Sequence, residues 1–595
     1  MLLWQVAAQE LGGWCRTSTT RDYKTVTRRV KHEGLSFLTI SLPSFGKDFE
    51  KSLDRGYVDH DLFRGFLFTG RLPRFLGGFF DLVFDRGTGC LVPFPDIDAI
   101  FAIRQLTLMD GKMEKMCSDA RIRHAMKGFV DCEQELKESD LRREASDNEA
   151  FRKMAHFLWN SVLERVDRDV DEIRIVPKHG PGSTADRLTG NRKFEQTEWT
   201  DRLEEIFSST DFLLTSPSYY HSLGSVEFLE PGLERPVRVT AVPKTMGKPR
   251  LIAIEPTCTQ YVQQGLNESV TESIGIDDLM SNFVGFDDQI PNRDLAREGS
   301  WKQNLATLDL SEASDRVSNQ LVGELLAYHP SARKAWQACR SSKADVDGYG
   351  VIPLTKYASM GSALTFPTEA MVFTTVVFLG IQNALKRPLT RRDLKSFVGQ
   401  VRIYGDDIII PVEFVQFVVE RLETFGFRVN LNKTFYTGKY RESCGGDYYD
   451  GHDVTVVRVR TEIPSQRRNA ARELVSTVAL RNHFYEAGMW STAGYLDKVI
   501  GRMIPFPIVL STSPALGRLS FLGFSTERTH PTLHSPLVWG CVVRSPIPVN
   551  ELDGHGALLK FFLKRGDLPF ADRNHLQRSG RPVAYDTKLR WVSSV

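Results

Sequence analysis

Ile403-Tyr404-Gly405-Asp406-Asp407-Ile408-Ile409-Ile410 sets two adjacent carboxylates between apolar runs. Alternate side chains of a regular strand point to opposite faces, so neighbouring carboxylates share a task only where the backbone bends. Gly405 supplies that bend at a hairpin tip. The pattern predicts a β-hairpin, Phe397 to Tyr404 and Ile408 to Pro411, joined by the Gly-Asp-Asp turn. A bare Gly-Asp-Asp also suits a solvated turn. The isoleucines on its flanks require instead that both strands be buried against a core.

The surrounding chain supplies the rest of a small sheet. Asn304 to Leu310 reads as a buried strand ending near a third acid, Asp309. Ser311 to His329 reads as a helix, with Val317, Leu321, Val322, Leu325 and Leu326 at helical spacing. Thr365 to Leu385 reads as a long apolar helix. Val412 to Phe425 reads as another, stopped at Gly426, and Phe427 to Leu431 returns as a strand. Strand, hairpin and strand, separated by helices, give a split β-α-β-β-α-β sheet with helices on one face. If the strands pair, Asp309 joins Asp406 and Asp407 at one edge. Alone, Asp309 would serve equally as a charge at a helix N-terminus. Three carboxylates at one edge repel each other and persist where cations neutralise them. Oxygen-only ligands suit Mg²⁺ or Mn²⁺, and two such ions clamp the attacking and leaving oxygens of phosphoryl transfer.

Bulk properties narrow the field. The chain has 595 residues, 41% apolar and 25% charged, which allows a large core and argues against disorder. Net charge is +2 with pI near 8.0, so any nucleic acid must be gripped by a local basic groove. The eight cysteines are scattered without a CxxC pair, which suggests neither a zinc site nor a disulfide framework. The N-terminal stretch lacks the early positive charge of a signal peptide, and the longest apolar run, Met371 to Ile381, is too short to span a bilayer. Glu133 to Lys153 is dense in both charge signs and reads as a solvated helix face. His179-Gly180-Pro181-Gly182-Ser183 reads as a loop.

Five ordered segments carry a resemblance. LDLSEASDRVS (308–318), ASMGSALTFPTEAMVF (358–373), IYGDDIII (403–410), NLNKTFYTG (430–438) and YRESCGGDYYDG (440–451) resemble motifs A to E of viral RNA-dependent RNA polymerases. The spelling is most similar to the replicase of single-stranded RNA bacteriophages, the levivirus group; narnaviruses and ourmia-like viruses share much of it. The similarity covers about residues 235 to 460 and is faint elsewhere.

The resemblance implies an α+β, right-handed fingers-palm-thumb polymerase. Residues 1–300 would be the N-terminal region and fingers, with motif F at 235–256. Residues 301–460 would be the palm, with a fingers insertion about 330–357, and 461–595 the thumb and C-terminal region. It implies RNA-templated RNA synthesis on a positive-strand genome. Asp309 and Asp406 would bind two Mg²⁺ ions, with Mn²⁺ as substitute, and Asp407 would complete the cluster. Lys433 is the candidate proton donor to pyrophosphate, provided its pKa approaches the working pH. Lys244, Lys248 and Arg250 lie in Arg235 to Arg250, an extended loop of five basic residues and no acid, and would grip the triphosphate. Asp315 would accept from the ribose 2′-hydroxyl. Ser359, Gly361 and Thr365 precede the long helix and would also meet the nucleotide. Glu369 shares a helix face with Thr365, where many viral polymerases have Asn. Tyr440 to Val459 reads as a hairpin turning at Asp450-Gly451, and Cys444 as a small buried residue.

By resemblance the partners are single-stranded RNA, NTPs, and host elongation factors Tu and Ts with a ribosomal protein, in the cytoplasm of an infected bacterium, with no membrane. A reverse transcriptase and a catalytically dead RNA-binding protein are the competing readings; sugar selectivity and the acidic triplet separate them from the first.

Overall fold

β1 (Leu305–Ser311) sets Ala306, Leu308 and Leu310 on one face and Leu305, Thr307 and Asp309 on the other, and every residue before Ser311 is buried. Such a strand must lie inside a sheet covered on both sides. In this computed structural model, which describes residues 1–180, 182–467, 469–544, 551–565 and 586–595, β1 lies between two partners. β2 (Arg402–Tyr404) pairs with β3 (Asp407–Pro411), β3 pairs with β1, and β1 pairs with the short β4 (Arg428–Val429). The order is β2-β3-β1-β4 and every neighbouring pair is antiparallel.

Two helices cover this sheet. α1 (Thr365–Leu385) is buried along most of its length. It is long and apolar enough to cross a membrane, yet 78% of its apolar window is covered by the protein interior. α2 (Val415–Thr424) buries Val415, Val418 and Leu422. Gly380 lets the two helices close up: a Cβ there would lie 2.7 Å from the Val418 Cα. After α2, Gly426 takes φ +86, which turns the chain back into β4.

Two large cores make up most of the apolar interior of the described residues. One core runs from Phe151 to Phe427 and contains the sheet, α1 and α2. The other joins residues 3–113 to residues 435–541, so the N-terminal helices close against the C-terminal third.

Several local expectations change. Ser311 ends β1, and a positive φ at Glu312 and a single 3-10 turn at Ser314–Arg316 follow before a short helix, Asn319–Leu325, capped by Ser318. The predicted helix from Ser311 therefore starts eight residues late. Arg316 explains the break: it is buried and reaches Glu135 at 2.6 Å. Glu133 to Lys153 is not a solvated face throughout. Glu133 and Arg143 are buried, Glu133 against Lys356 at 2.9 Å and Arg143 against Asp140 at 2.8 Å. The basic loop 235–250 is instead the strand Val237–Val242, a turn, and the start of the strand Arg250–Ile254. The segment from Tyr440 makes two turns rather than one. β5 (Tyr440–Ser443), β6 (Gly446–Tyr449) and β7 (His452–Asp453) are joined at Cys444-Gly445 and at Asp450-Gly451. Around His179, Pro181 lies outside the described residues.

Candidate active site

The carboxylates meet through strand register. β3 pairs with β1 so that Asp407 lies directly opposite Asp309, and Tyr404 faces Asp407 across the hairpin. Gly405, at φ +60, makes the turn. A Cβ there would come within 2.6 Å of the Phe366 ring, so an aromatic side chain of α1 presses on the turn from behind. That ring packs edge-on against Tyr404 at 5.4 Å, and the Tyr404 hydroxyl donates to the Phe286 carbonyl at 2.8 Å. Asp406 sits exposed at the tip.

The three acids are in different states. Asp309 is buried, and both its oxygens accept hydrogen bonds: from Lys433 Nζ at 2.9 Å and from Asn430 Nδ2 at 2.7 Å. Burial pushes its carboxyl up, Lys433 opposes that, and Asp406 adds to it. Asp407 accepts from the Cys444 backbone N–H at 3.0 Å. Burial, then Asp406 and Asp309, push it up to about 7. Cys444 contributes its backbone; its thiol is raised by burial and is no nucleophile.

Hard oxygen donors gathered at one edge, with burial and then mutual repulsion raising Asp309 and Asp407, have the chemistry of a divalent-cation site. The cage is not closed as the side chains stand: among the described residues no three of His, Cys, Asp and Glu converge on one point. Lys433 supplies the positive charge at Asp309 instead. Burial works against its ammonium, but Glu442 and Asp309 hold it above its ordinary value. In this arrangement Lys433 is a fixed cation, and its pKa moves away from the working pH that proton donation needs.

The predicted nucleotide residues surround this edge unevenly. Lys244 is reachable by solvent but surrounded by protein. Desolvation lowers its ammonium, Arg250 and Lys433 lower it further, and Asp406 and Asp309 pull the other way, so all five charges share one cleft. Lys248 points to Glu312 at 3.4 Å, and Arg250 is exposed. Gly361 has φ +141, and a Cβ there would overlap the Ala253 carbonyl at 1.9 Å, so this loop lies tight against the basic hairpin. Thr365 Oγ1 donates to the Ser359 carbonyl at 2.8 Å and is engaged in holding that loop. The buried Ser359 hydroxyl has no partner within the described residues.

Asp315 lies in the single 3-10 turn that follows β1. It is half-buried, with Lys356 Nζ at 3.0 Å. Lys356 is wholly buried, bridges Asp315 to Glu133, and stands 3.6 Å over the Phe129 ring. Nothing in the sequence marks this lysine, because its partners are 41 and 223 residues away. Asn430 was equally hidden, although it sits inside a recognised segment. Glu369 is buried, and burial, then Asp406 and Asp315, raise its carboxyl well above the usual range, which makes it a neutral acid on the helix face behind the turn.

Residues 232–470 match the family model described as RNA replicase, beta-chain. The RNA-directed RNA polymerase beta chain of Escherichia phage MS2 is 36% identical over 222 residues, covering 36% of this chain and 36% of that one. The beta subunit of Escherichia virus Qbeta is 36% identical over 228 residues, 38% of this chain and 36% of its own. The beta chain of Enterobacteria phage fr is 35% identical over 228 residues, 38% of each. The match thus spans less than two fifths of the relatives' length. Among solved structures, an RNA-dependent RNA polymerase described with vp4 and double-stranded RNA aligns over 69% of this chain and 38% of its own, at 10% identity and TM-score 0.41.

Proposed function

We propose that this chain is a phage-type replicase subunit that copies single-stranded RNA into RNA. The observation that carries the reading is the register that sets Asp309 opposite Asp407, with Asp406 at the adjoining tip, inside the segment similar to the replicase beta chains. The sheet order and the helices α1 and α2 support reading residues 301–460 as a palm of split β-α-β-β-α-β type. The hairpin at 235–256 would then belong to the fingers, and residues 461–595 to the thumb and C-terminal region.

Asp309, Asp406 and Asp407 would hold two Mg²⁺ ions, or Mn²⁺, which supply Lewis-acid activation of the attacking 3′-hydroxyl and charge relief on the departing pyrophosphate. The chain's own residues do the rest. Lys244 and Arg250 face the triphosphate, and their fixed charge is worth most inside a cleft of low polarity. Asp315, steadied by Lys356, presents a carboxylate to the ribose 2′-hydroxyl. Gly361 keeps the preceding loop against the basic hairpin, so that the nucleotide sits between two rigid walls. Lys433 keeps Asp309 in place and is the proton donor to pyrophosphate when that carboxylate's charge is otherwise neutralised.

The test is nucleotide incorporation by the purified chain on single-stranded RNA with NTPs and Mg²⁺. Asp309→Ala is expected to abolish synthesis while the protein stays folded by circular dichroism. Full-rate synthesis by that variant, or use of dNTPs in place of NTPs by the unaltered chain, overturns the reading.

A further inference from the structure

Charge is distributed unevenly along the chain. Residues 502–595 hold 12 Lys and Arg against 6 Asp and Glu, a net of +6, whereas the whole chain carries +2. The first 501 residues are therefore net acidic, at −4. A regional basic excess of this size is an electrostatic footprint that suits a polyanion partner.

This region also exposes aromatic surface on a rigid support. β8 (Arg528–Thr529) pairs with β9 (Pro536–Arg544), and β9 pairs antiparallel with β10 (Asp586–Ser593) over eight residue pairs. Trp539 lies directly opposite Trp591, with ring centroids 5.7 Å apart and the planes at 62°. The two are 39% and 40% exposed, so much of each ring meets water. Arg528, from the neighbouring strand, stands 5.6 Å over the Trp591 ring. The adjacent acid is occupied: Glu527 accepts from the Trp539 backbone N–H at 3.1 Å.

A cross-strand aromatic pair stabilises a ribbon without help. That role explains neither the exposed ring faces nor the guanidinium over one of them, and both lie in a net basic region of the chain. Aromatic faces with nearby cations on a positive surface bind unpaired bases irrespective of sequence, because every base has a face to stack and every nucleotide a phosphate. We propose that Trp539, Trp591 and Arg528 form a second contact for single-stranded RNA, separate from the carboxylate cleft, which holds template or product strand while the cleft does chemistry. The site rests on the replicase reading for the identity of its ligand. A protein partner would favour the same aromatics, but the charge excess selects RNA.

The test uses the full chain and a fluorescent, unstructured 20-nucleotide RNA, with anisotropy read at low and moderate salt. The Trp539→Ala/Trp591→Ala double variant is expected to bind about tenfold or more weakly, in line with base–aromatic stacking. Trp539→Phe/Trp591→Phe should stay within about threefold of the original, since a phenyl face still stacks. Arg528→Gln should weaken binding and flatten the salt dependence. Incorporation at saturating RNA should be unchanged in all three. Unaltered RNA affinity in a double alanine variant that melts like the original overturns the proposal and leaves the pair as a protein contact. Equal losses in the alanine and phenylalanine variants, together with a lowered melting midpoint, also overturn it by reducing the pair to ribbon support. If the original chain binds no RNA at any salt, the replicase reading itself fails, a result distinct from either.

Discussion

Replacing Lys356 by Met removes a positive charge that two carboxylates share. Lys356 is wholly buried, while its partners differ: the Glu133 side chain is 9% exposed and that of Asp315 is 29% exposed. Removing one member of a buried pair destabilises by about 3–5 kcal/mol, because the other charge is left unpaired. Two features place this case at the lower end. Asp315 hydrates in part, and Glu133 keeps hydrogen bonds from the backbone N–H groups of Thr355 and Lys356, at 2.5 and 3.2 Å. Met retains the packing on Phe129 but loses the cation–π attraction, which adds about 1 kcal/mol. The expected loss is therefore about 3–4 kcal/mol. Adding Glu133→Gln should recover roughly half of it, since the buried charge then vanishes with its partner.

The assay is the melting midpoint of each purified variant at a fixed scan rate, because a chain of this size need not unfold in two states. Burial works against the Lys356 ammonium, but Asp315 and Glu133 hold it above its ordinary value. A lysine raised in this way gives stability that is complete below its unfolded pKa and is lost only as pH climbs through the raised one. The gap between the original and Lys356→Met should thus stay constant from pH 6 to 9. A single variant that melts with the original, or a double variant no better than the single, refutes the reasoning.

Three further outcomes test the carboxylate edge. Asp407 is raised to about 7, so the folded metal-free chain binds a proton there that the unfolded chain has released. Stability should fall as pH rises from about 4 to 7, by up to about 4 kcal/mol before solvent screening. Melting in EDTA at pH 5 and pH 8 measures it: Asp407→Asn should flatten the difference, and an unchanged slope in that variant counts against the shift. Gly405→Ala forces a side chain into φ +60 and against Phe366, and should destabilise by about 1–3 kcal/mol while cutting incorporation more than tenfold; an active, equally stable variant would mean the turn tolerates a Cβ. Arg250→Ala should raise the apparent KM for NTPs with little change in RNA binding, and an unchanged nucleotide titration removes Arg250 from the site.

How much the sequence revealed depended on the range of the forces involved. The helix Thr365–Leu385 appears with its predicted bounds, because its apolar length leaves no alternative burial. The apposition of Asp309 and Asp407 was legible too, since two short strands rich in Leu and Ile that must both be buried have few ways to pair. The stretch after β1 was misread because Val317, Leu321 and Leu325 keep helical spacing while Arg316, bonded to Glu135, holds the backbone out of a helix. The charge at Glu133 looked solvated because its partner Lys356 is distant in the chain, and Arg143 because the Phe425 carbonyl and ring that help cover it are distant too, although its ion-pair partner Asp140 is close. The turn at Cys444-Gly445 was hidden by a cysteine at φ +48, a residue that turn chemistry does not favour. Within the site, each acid announced itself, but the lysine fixing Asp315 and the asparagine fixing Asp309 had no local signature.

The shared core of residues 3–113 and 435–541 has a consequence for how the protein comes into being. Trp4, Phe45 and Phe49 meet aromatic partners early, at Phe75, Phe80 and Phe84, but the core they belong to is completed only by residues from 435 on, which at ribosomal speeds is a wait of roughly 20–80 s. Arg104 waits as well, since Asp447 and Tyr440 complete its surroundings. The strands bearing Asp309 and Asp407 leave the ribosome before that closure. A nascent chain stalled near residue 430 would carry Asp309, Asp406 and Asp407 on a frame that its last third has not yet closed.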